Sequence, residues 1–319
     1  MILAHVHSGP DTGAGLAGLV TAAAALLAAV VYGAAASRLR RRGDAWPRRR
    51  DASFAAGSGS LAWVAVGSLP GGAFTAHMAQ HLIVGMAAPL LFVLARPLTL
   101  ALRALAPGTA RRLLVALAHS RPAGWLVFPP LAALLDIGGL WLLYRSGLFA
   151  ATQHHAWLHA VVHLHVLAAG LLFTFAVCQV DAVRRRWSLT VRGMTLLAAG
   201  AAHAVLAKAL YAAGPPGTEV AAADLHTGAQ VMYYGGDLVE VGLAVVLAAS
   251  WYRTTGRVRA VRDRARARRR PWAAGVPAAP DARGGIPAPV GTACAAPARR
   301  ESLAGQARQP EGVRWRPGR

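Results

Sequence analysis

Seven stretches of this chain approach the roughly 20 consecutive apolar residues that a helix needs to cross a bilayer. They are residues 13–37, 52–69, 77–95, 123–144, 155–180, 191–213 and 225–252. In hydrocarbon every backbone polar group must be satisfied within the protein, so apolar runs of this length predict helices. The expected fold is therefore all-α: a polytopic membrane helix bundle with seven transmembrane helices. The second stretch is the weakest, because Gly57, Ser58, Gly59 and Ser60 interrupt it. Composition agrees with the pattern. Apolar residues make up 55% of the 319 positions and charged residues only 15%, against about 25% charged in soluble domains. This excludes a disordered chain and argues against a purely soluble enzyme.

The basic residues predict orientation. Of 34 Lys and Arg, 32 fall in four stretches: 38–50, 96–121, 184–192 and the tail from 253 onward. With seven alternating spans all four lie on one side, which places the N-terminus outside and the C-terminus in the cytoplasm. The exceptions are Arg145 and Lys208. No basic residue precedes the first apolar run, so it reads as a span rather than a signal peptide. The formal net charge of +21 resembles that of a nucleic-acid binder. Arg clusters beside membrane spans instead orient the chain and meet anionic lipid heads, so the lipid bilayer is an expected partner and nucleic acid is not. Residues 1–252 form the expected membrane domain. Residues 253–319 read as an Arg-, Pro- and Ala-rich disordered cytoplasmic tail.

Histidine is sorted the opposite way. Of twelve, only His119 falls in a cytoplasmic loop; His5, His7, His77, His81, His154, His155, His159, His163 and His226 fall in outer segments or the outer halves of spans, with His165 and His203 deeper. His77–His81 and His159–His163 have i, i+4 spacing, which sets two imidazoles on one helix face; His155–His159 repeats it. Met78 lies inside the first pair, and a thioether beside imidazoles suits copper, Cu(I) above all. The expected metal ligands are His77, His81, His159 and His163, with Met78 and His226 as auxiliaries. Intramembrane histidines also serve as interhelical hydrogen-bonding groups, and histidines on two spans can ligate haem iron. A haem- or quinone-binding cytochrome, a copper importer and a simple scaffold therefore stay open. Cys178 and Cys294 make no CxxC, which disfavours a thiolate site.

Other polar groups within the spans are costly and need partners: Asp136, His203, Lys208, Gln230, Asp237 and Glu240. Lys208 is expected to lock the bundle by pairing with one of these acids. Pro89 and Pro129-Pro130 remove helix hydrogen bonds and predict kinks in spans three and four.

The run His77-Met78-Ala79-Gln80-His81, followed by an apolar stretch and by Arg96-Pro97-Leu98-Thr99-Leu100-Ala101-Leu102-Arg103-Ala104-Leu105, resembles the CtaG-type cytochrome c oxidase assembly protein family of bacteria. Trp157-Leu158-His159-Ala160-Val161-Val162-His163, then Gly170-Leu171-Leu172-Phe173, and Asp224 leading to Met232-Tyr233 are similar to later markers of that family in order and spacing. The resemblance covers residues 13–252. It implies a multi-pass membrane protein that helps to assemble cytochrome c oxidase by handling copper, with oxidase subunits as partners. It matches His77, His81, His159 and His163 to the family's histidines. His226, two residues after Asp224, the doublet His154-His155 and His165 depart from the pattern. No nucleophile, phosphate loop or paired carboxylates are present, so enzymatic activity is not expected.

Overall fold

The computed structural model describes residues 12–181 and 186–273. Among these residues every regular element is helical. In chain order they are α1 (Thr12–Arg41), α2 (Arg48–Val66), α3 (Ala73–His81), a π-helical segment (Leu82–Ala87), α4 (Ala88–Ala95), α5 (Pro97–Ala104) and α6 (Thr109–Ala118). There follow α7 (Arg121–Leu126), α8 (Pro129–Arg145), α9 (Leu148–His154), α10 (Ala156–Cys178), α11 (Leu189–Ala212) and α12 (Ala222–Ala273). His5 and His7 lie outside the described residues, as does the tail from 274 onward. Within the predicted tail, α12 continues past residue 252 to Ala273.

Among the described residues five stretches are long and apolar enough to cross a membrane: Gly15–Arg41, Ala73–Ala104, Ala156–Cys178, Leu189–Ala212 and Ala222–Arg253. Pro129–Arg145 and Leu148–His154 together make a sixth candidate, bent by 74°. Their outward faces are apolar. Leu19, Val20, Leu27 and Val30 on α1, Leu134 and Leu142 on α8, Leu164 on α10, Leu197 on α11 and Leu238 and Val241 on α12 are all exposed. A water-facing helix would carry polar residues there, so these surfaces fit a lipid solvent and the protein is a multi-pass membrane protein.

The weak second stretch is not in this set. It forms a helix, α2, which packs against α1 and α4. Gly57 makes the fit possible: a Cβ there would press on Phe92 and Leu91. Ser53 Oγ donates to the Leu91 carbonyl at 2.6 Å. Phe54 stacks on Tyr32 of α1 with ring centres 4.2 Å apart. Gly57 and the buried Ser58, which lower the hydropathy of this segment, thus lie on its packed face, while Gly59 meets no neighbour.

The expected prolines act differently from one another. Pro129 and Pro130 open α8 rather than kink it; the first turn has no use for the missing N–H. Pro89 occupies the first turn of α4, directly after the π segment, so the helix runs from Ala73 to Ala95 without a break.

Two aspartates fix helix starts from a distance. The Asp224 carboxylate, at the start of α12, accepts from the backbone N–H of Phe74 at 2.9 Å and Thr75 at 3.0 Å, and from the Thr75 hydroxyl. Asp181 does the same for α5, accepting from Leu98 N–H at 2.9 Å, Thr99 N–H at 2.7 Å and the Thr99 hydroxyl. Each satisfies the first-turn donors that a helix leaves unpaired. The two caps sit at opposite ends of the stretch that runs from α3 through α4 into α5.

Candidate metal centre

The site is built around α3 and the π segment. A π turn adds one residue per turn and often marks a functional place in a helix. Here it begins immediately after His81, and the Ala88 N–H reaches back to the Ile83 carbonyl. Pro89 has no N–H to offer the Gly85 carbonyl four residues earlier. That carbonyl is covered by Gly170 of α10, where a Cβ would collide with it. Two glycines therefore bring α10 against the π segment, the close approach that small residues permit in membranes.

The close approach draws histidines of two helices together. His77 of α3 and His163 of α10 have ring centres 6.3 Å apart. His163 stacks on His159 at 4.1 Å. His163 Nδ1 lies 3.0 Å from the His159 carbonyl; a carbonyl only accepts, so Nδ1 carries the proton and Nε2 keeps its lone pair. His77 Nε2 lies 3.0 Å from the hydroxyl of Tyr144 on α8, a residue with no exposed surface. A cavity of about 20 Å³ lies between His77, His81, Tyr144, His163 and apolar neighbours, room for one water-sized occupant.

Towards the end of the bundle that carries residues 67–73 and 217–224, a larger cavity of about 790 Å³ opens. His77, His154, His159, Gln80, Gln153 and Glu219 line it. His77 and His159 thus border the vestibule, and His77 also borders the small inner cavity.

His81, which also borders the small cavity, lies at a ring-centre distance of 6.2 Å from His203 of α11. His203 is 1% exposed, and its Nδ1 is 3.5 Å from Glu240 Oε1 of α12. The spacing analysis did not place His203 in the site. Its one signal was the cost of a polar group at that depth.

The remaining expected ligands lie elsewhere. Met78 is fully buried in the apolar cluster that holds Phe74, Leu206 and Met232. His226 stacks on Tyr211, ring centres 4.2 Å apart. Among the described residues no three or more His, Cys, Asp or Glu side chains converge into a ready metal cluster. Two imidazoles on one ion keep their ring centres within about 6.5 Å, given metal–nitrogen bonds near 2.0 Å. His77–His163 and His81–His203 both fall inside that limit as pairs. His165 is a structural group, its Nε2 3.2 Å from the Leu135 carbonyl. Lys208 also differs from expectation: its ammonium lies 5.4 Å from the centre of the Tyr233 ring, a cation–π contact, and among the described residues it makes no ion pair with an acid.

The sequence model of the family described as cytochrome c oxidase caa3 assembly factor matches residues 30–254. The chain belongs to this family. The match takes in His77, His81, His159, His163, His203 and both capping aspartates, so the assembly-factor region and the bundle described here coincide. Uncharacterised proteins of Mycobacterium bovis and Mycobacterium tuberculosis are each 30% identical over 263 residues, covering 76% of this chain and 40% of the relative. One of Mycobacterium leprae is 30% identical over 264 residues with the same coverage. The chain therefore spans 40% of the length of these relatives. No solved structure matches this chain.

Proposed function

We propose that this assembly factor is a seven-span protein of the bacterial plasma membrane that holds copper at histidines near its outer face and passes it to a cytochrome c oxidase subunit. The observation that carries the reading is the meeting of His77 and His163, from separate helices, at 6.3 Å, beside a vestibule that His77 and His159 border. Neutral imidazoles bind both copper states. The hydrogen bonds to Tyr144 and to the His159 carbonyl orient the rings, as outer-shell partners do for metal-bound histidines. His77, His159 and His163 form the outer site in this reading, with His81 behind them. Met78 and His226, packed against other residues, supply no ligand.

Counting α2 as a span gives seven. The arginine-rich segments 38–50 and 96–121 then fall on the cytoplasmic side, and the vestibule faces outward, where an oxidase copper subunit accepts its metal.

The test is complementation in a strain lacking this gene, with oxidase activity and membrane copper as readouts. The wild-type gene should restore the oxidase, and His77→Ala/His163→Ala should not, although the variant protein reaches the membrane in equal amount. Full restoration by the double variant would remove the histidines from the function.

A further inference from the structure

The deeper histidine pair has features that the outer site does not explain. Neither ring nitrogen of His81 has a hydrogen-bond partner among the described residues, and neither does His203 Nε2. Both side chains are buried, at 6% and 1% exposure. Buried polar groups are almost always paired. If the histidines were only an interhelical lock, His81 would have a partner.

The surroundings are also shaped for these groups. A Cβ on Gly236 would strike the His203 ring, and one on Gly200 would strike the Glu240 carboxylate. A Cβ on Gly85 would lie 3.3 Å from His81 Cε1. Three glycines on three elements thus leave room for three polar side chains at mid-bundle. Gly235, beside Gly236, serves another contact and receives Leu82.

The arrangement of His203 follows a recurring pattern. A carboxylate facing one imidazole nitrogen holds the ring so that the other nitrogen points its lone pair at a metal. Glu240 faces Nδ1 at 3.5 Å, which leaves Nε2, the nitrogen without a partner, free to coordinate. His81 stands opposite, ring centre 6.2 Å from that of His203. That is within the separation that two imidazoles on one ion allow, about 6.5 Å, and an ion shared at that separation would hold them as nearly opposite ligands. Two-coordinate, near-linear binding is characteristic of the cuprous ion.

We infer that His81 and His203 form a second, inner Cu(I) position, with Glu240 as a positioning residue that orients His203. It rests on the copper-handling reading above and extends it: cargo has two stations, one at the vestibule and one deeper, linked by His77 and His81 one turn apart on α3.

The test uses the full-length protein in lipid nanodiscs, loaded anaerobically with Cu(I) and titrated with a chromogenic Cu(I) chelator. Wild type should hold two equivalents. His203→Ala should hold one, and His77→Ala/His163→Ala should hold the other. Glu240→Gln, which keeps size and shape, should retain both equivalents but weaken the inner one at least about tenfold, with an unchanged melting temperature. X-ray absorption of the outer-site double variant should show a low-coordinate cuprous ion with nitrogen ligands alone, a readout that does not depend on the folding of His203→Ala. Two equivalents in His203→Ala would overturn the inner site. One equivalent in wild type, lost in the outer variant, would overturn it while leaving the proposed function intact. No copper bound by wild type would sink both.

Discussion

Gly170 of α10 lies directly on the backbone carbonyl of Gly85, so that no side chain fits between the two helices. This contact satisfies space that Pro89 and the π segment create, and it sets the distance between the helices that carry His77 and His163. Gly170→Ala should therefore lower stability by about 1–3 kcal/mol, the usual cost of overpacking. Gly59→Ala is the matched control, because a Cβ there meets nothing within 4 Å. Thermal melting followed by size-exclusion chromatography in detergent checks this. Equal melting of the two variants would show that the close approach does not hold these two helices together.

The two trans caps separate stability from site geometry. Asp224 ties α12 to the first turn of α3, and His77 follows Phe74 and Thr75 within one turn. Asp181 makes the same bonds to α5, far along the chain from the histidines. Asp224→Ala and Asp181→Ala should each cost about 1–2 kcal/mol, as lost helix caps do. Only Asp224→Ala should also lower bound copper. Melting curves and copper content, measured on both variants, give the comparison; copper lost equally from both would mean that the effect is general destabilisation.

The parts of this protein that were legible in the sequence are those set by local periodicity. Apolar runs predict the helices, of which five, or six with the bent pair α8–α9, are long and apolar enough to cross a membrane among the described residues, and i, i+4 spacing picks out His77–His81 and His159–His163, which the fold places on facing helices. The sequence sets Met78 beside His77, yet neighbours one residue apart do not share a helix face, and Met78 turns into the apolar cluster. His226 fails for a similar reason. Asp224, two positions earlier, faces α3, so His226 turns to the other side and meets Tyr211. His203 has no second histidine at helical spacing, and its partners come from α3 and α12. The cap by Asp224 spans about 150 positions of sequence, a distance at which no local pattern operates. The weak hydropathy of α2 was legible, but not its cause, the fit of Gly57 against Phe92.

Tyr144 orients His77. With the His77 proton on Nε2, the ring donates to the tyrosine oxygen and leaves Nδ1 for a cation; the opposite tautomer reverses this. Tyr144→Phe keeps the ring, and with it the packing against Phe149 at 5.6 Å, but removes the partner at 3.0 Å. Outer-site Cu(I) affinity should fall about tenfold or more while the melting temperature changes little. Chelator competition on wild type and variant checks it. Unchanged affinity would reduce Tyr144 to a packing residue.

The seven-span reading makes α2 the deciding element. If α2 crosses the membrane, the segment before it, holding Asp44, and the segment after it, holding Gly71, face opposite sides. The segment near Asp44 is tied to the arginine-rich end by the ion pair with Arg103 at 2.8 Å. Gly71 adjoins the vestibule through Thr75 and the α3 cap. With Cys178 and Cys294 replaced by serine, a single cysteine at Arg42, in the same turn as Asp44, should react with a membrane-impermeant maleimide only after the cells are opened. A single cysteine at Ser68, just past the end of α2, should react in intact spheroplasts. Labelling of both positions from the same side would make α2 a helix that lies along the bundle without crossing, and would turn the arginine-rich segments 38–50 and 96–121 to opposite faces. Accumulation of basic residues on the cytoplasmic side argues against that outcome.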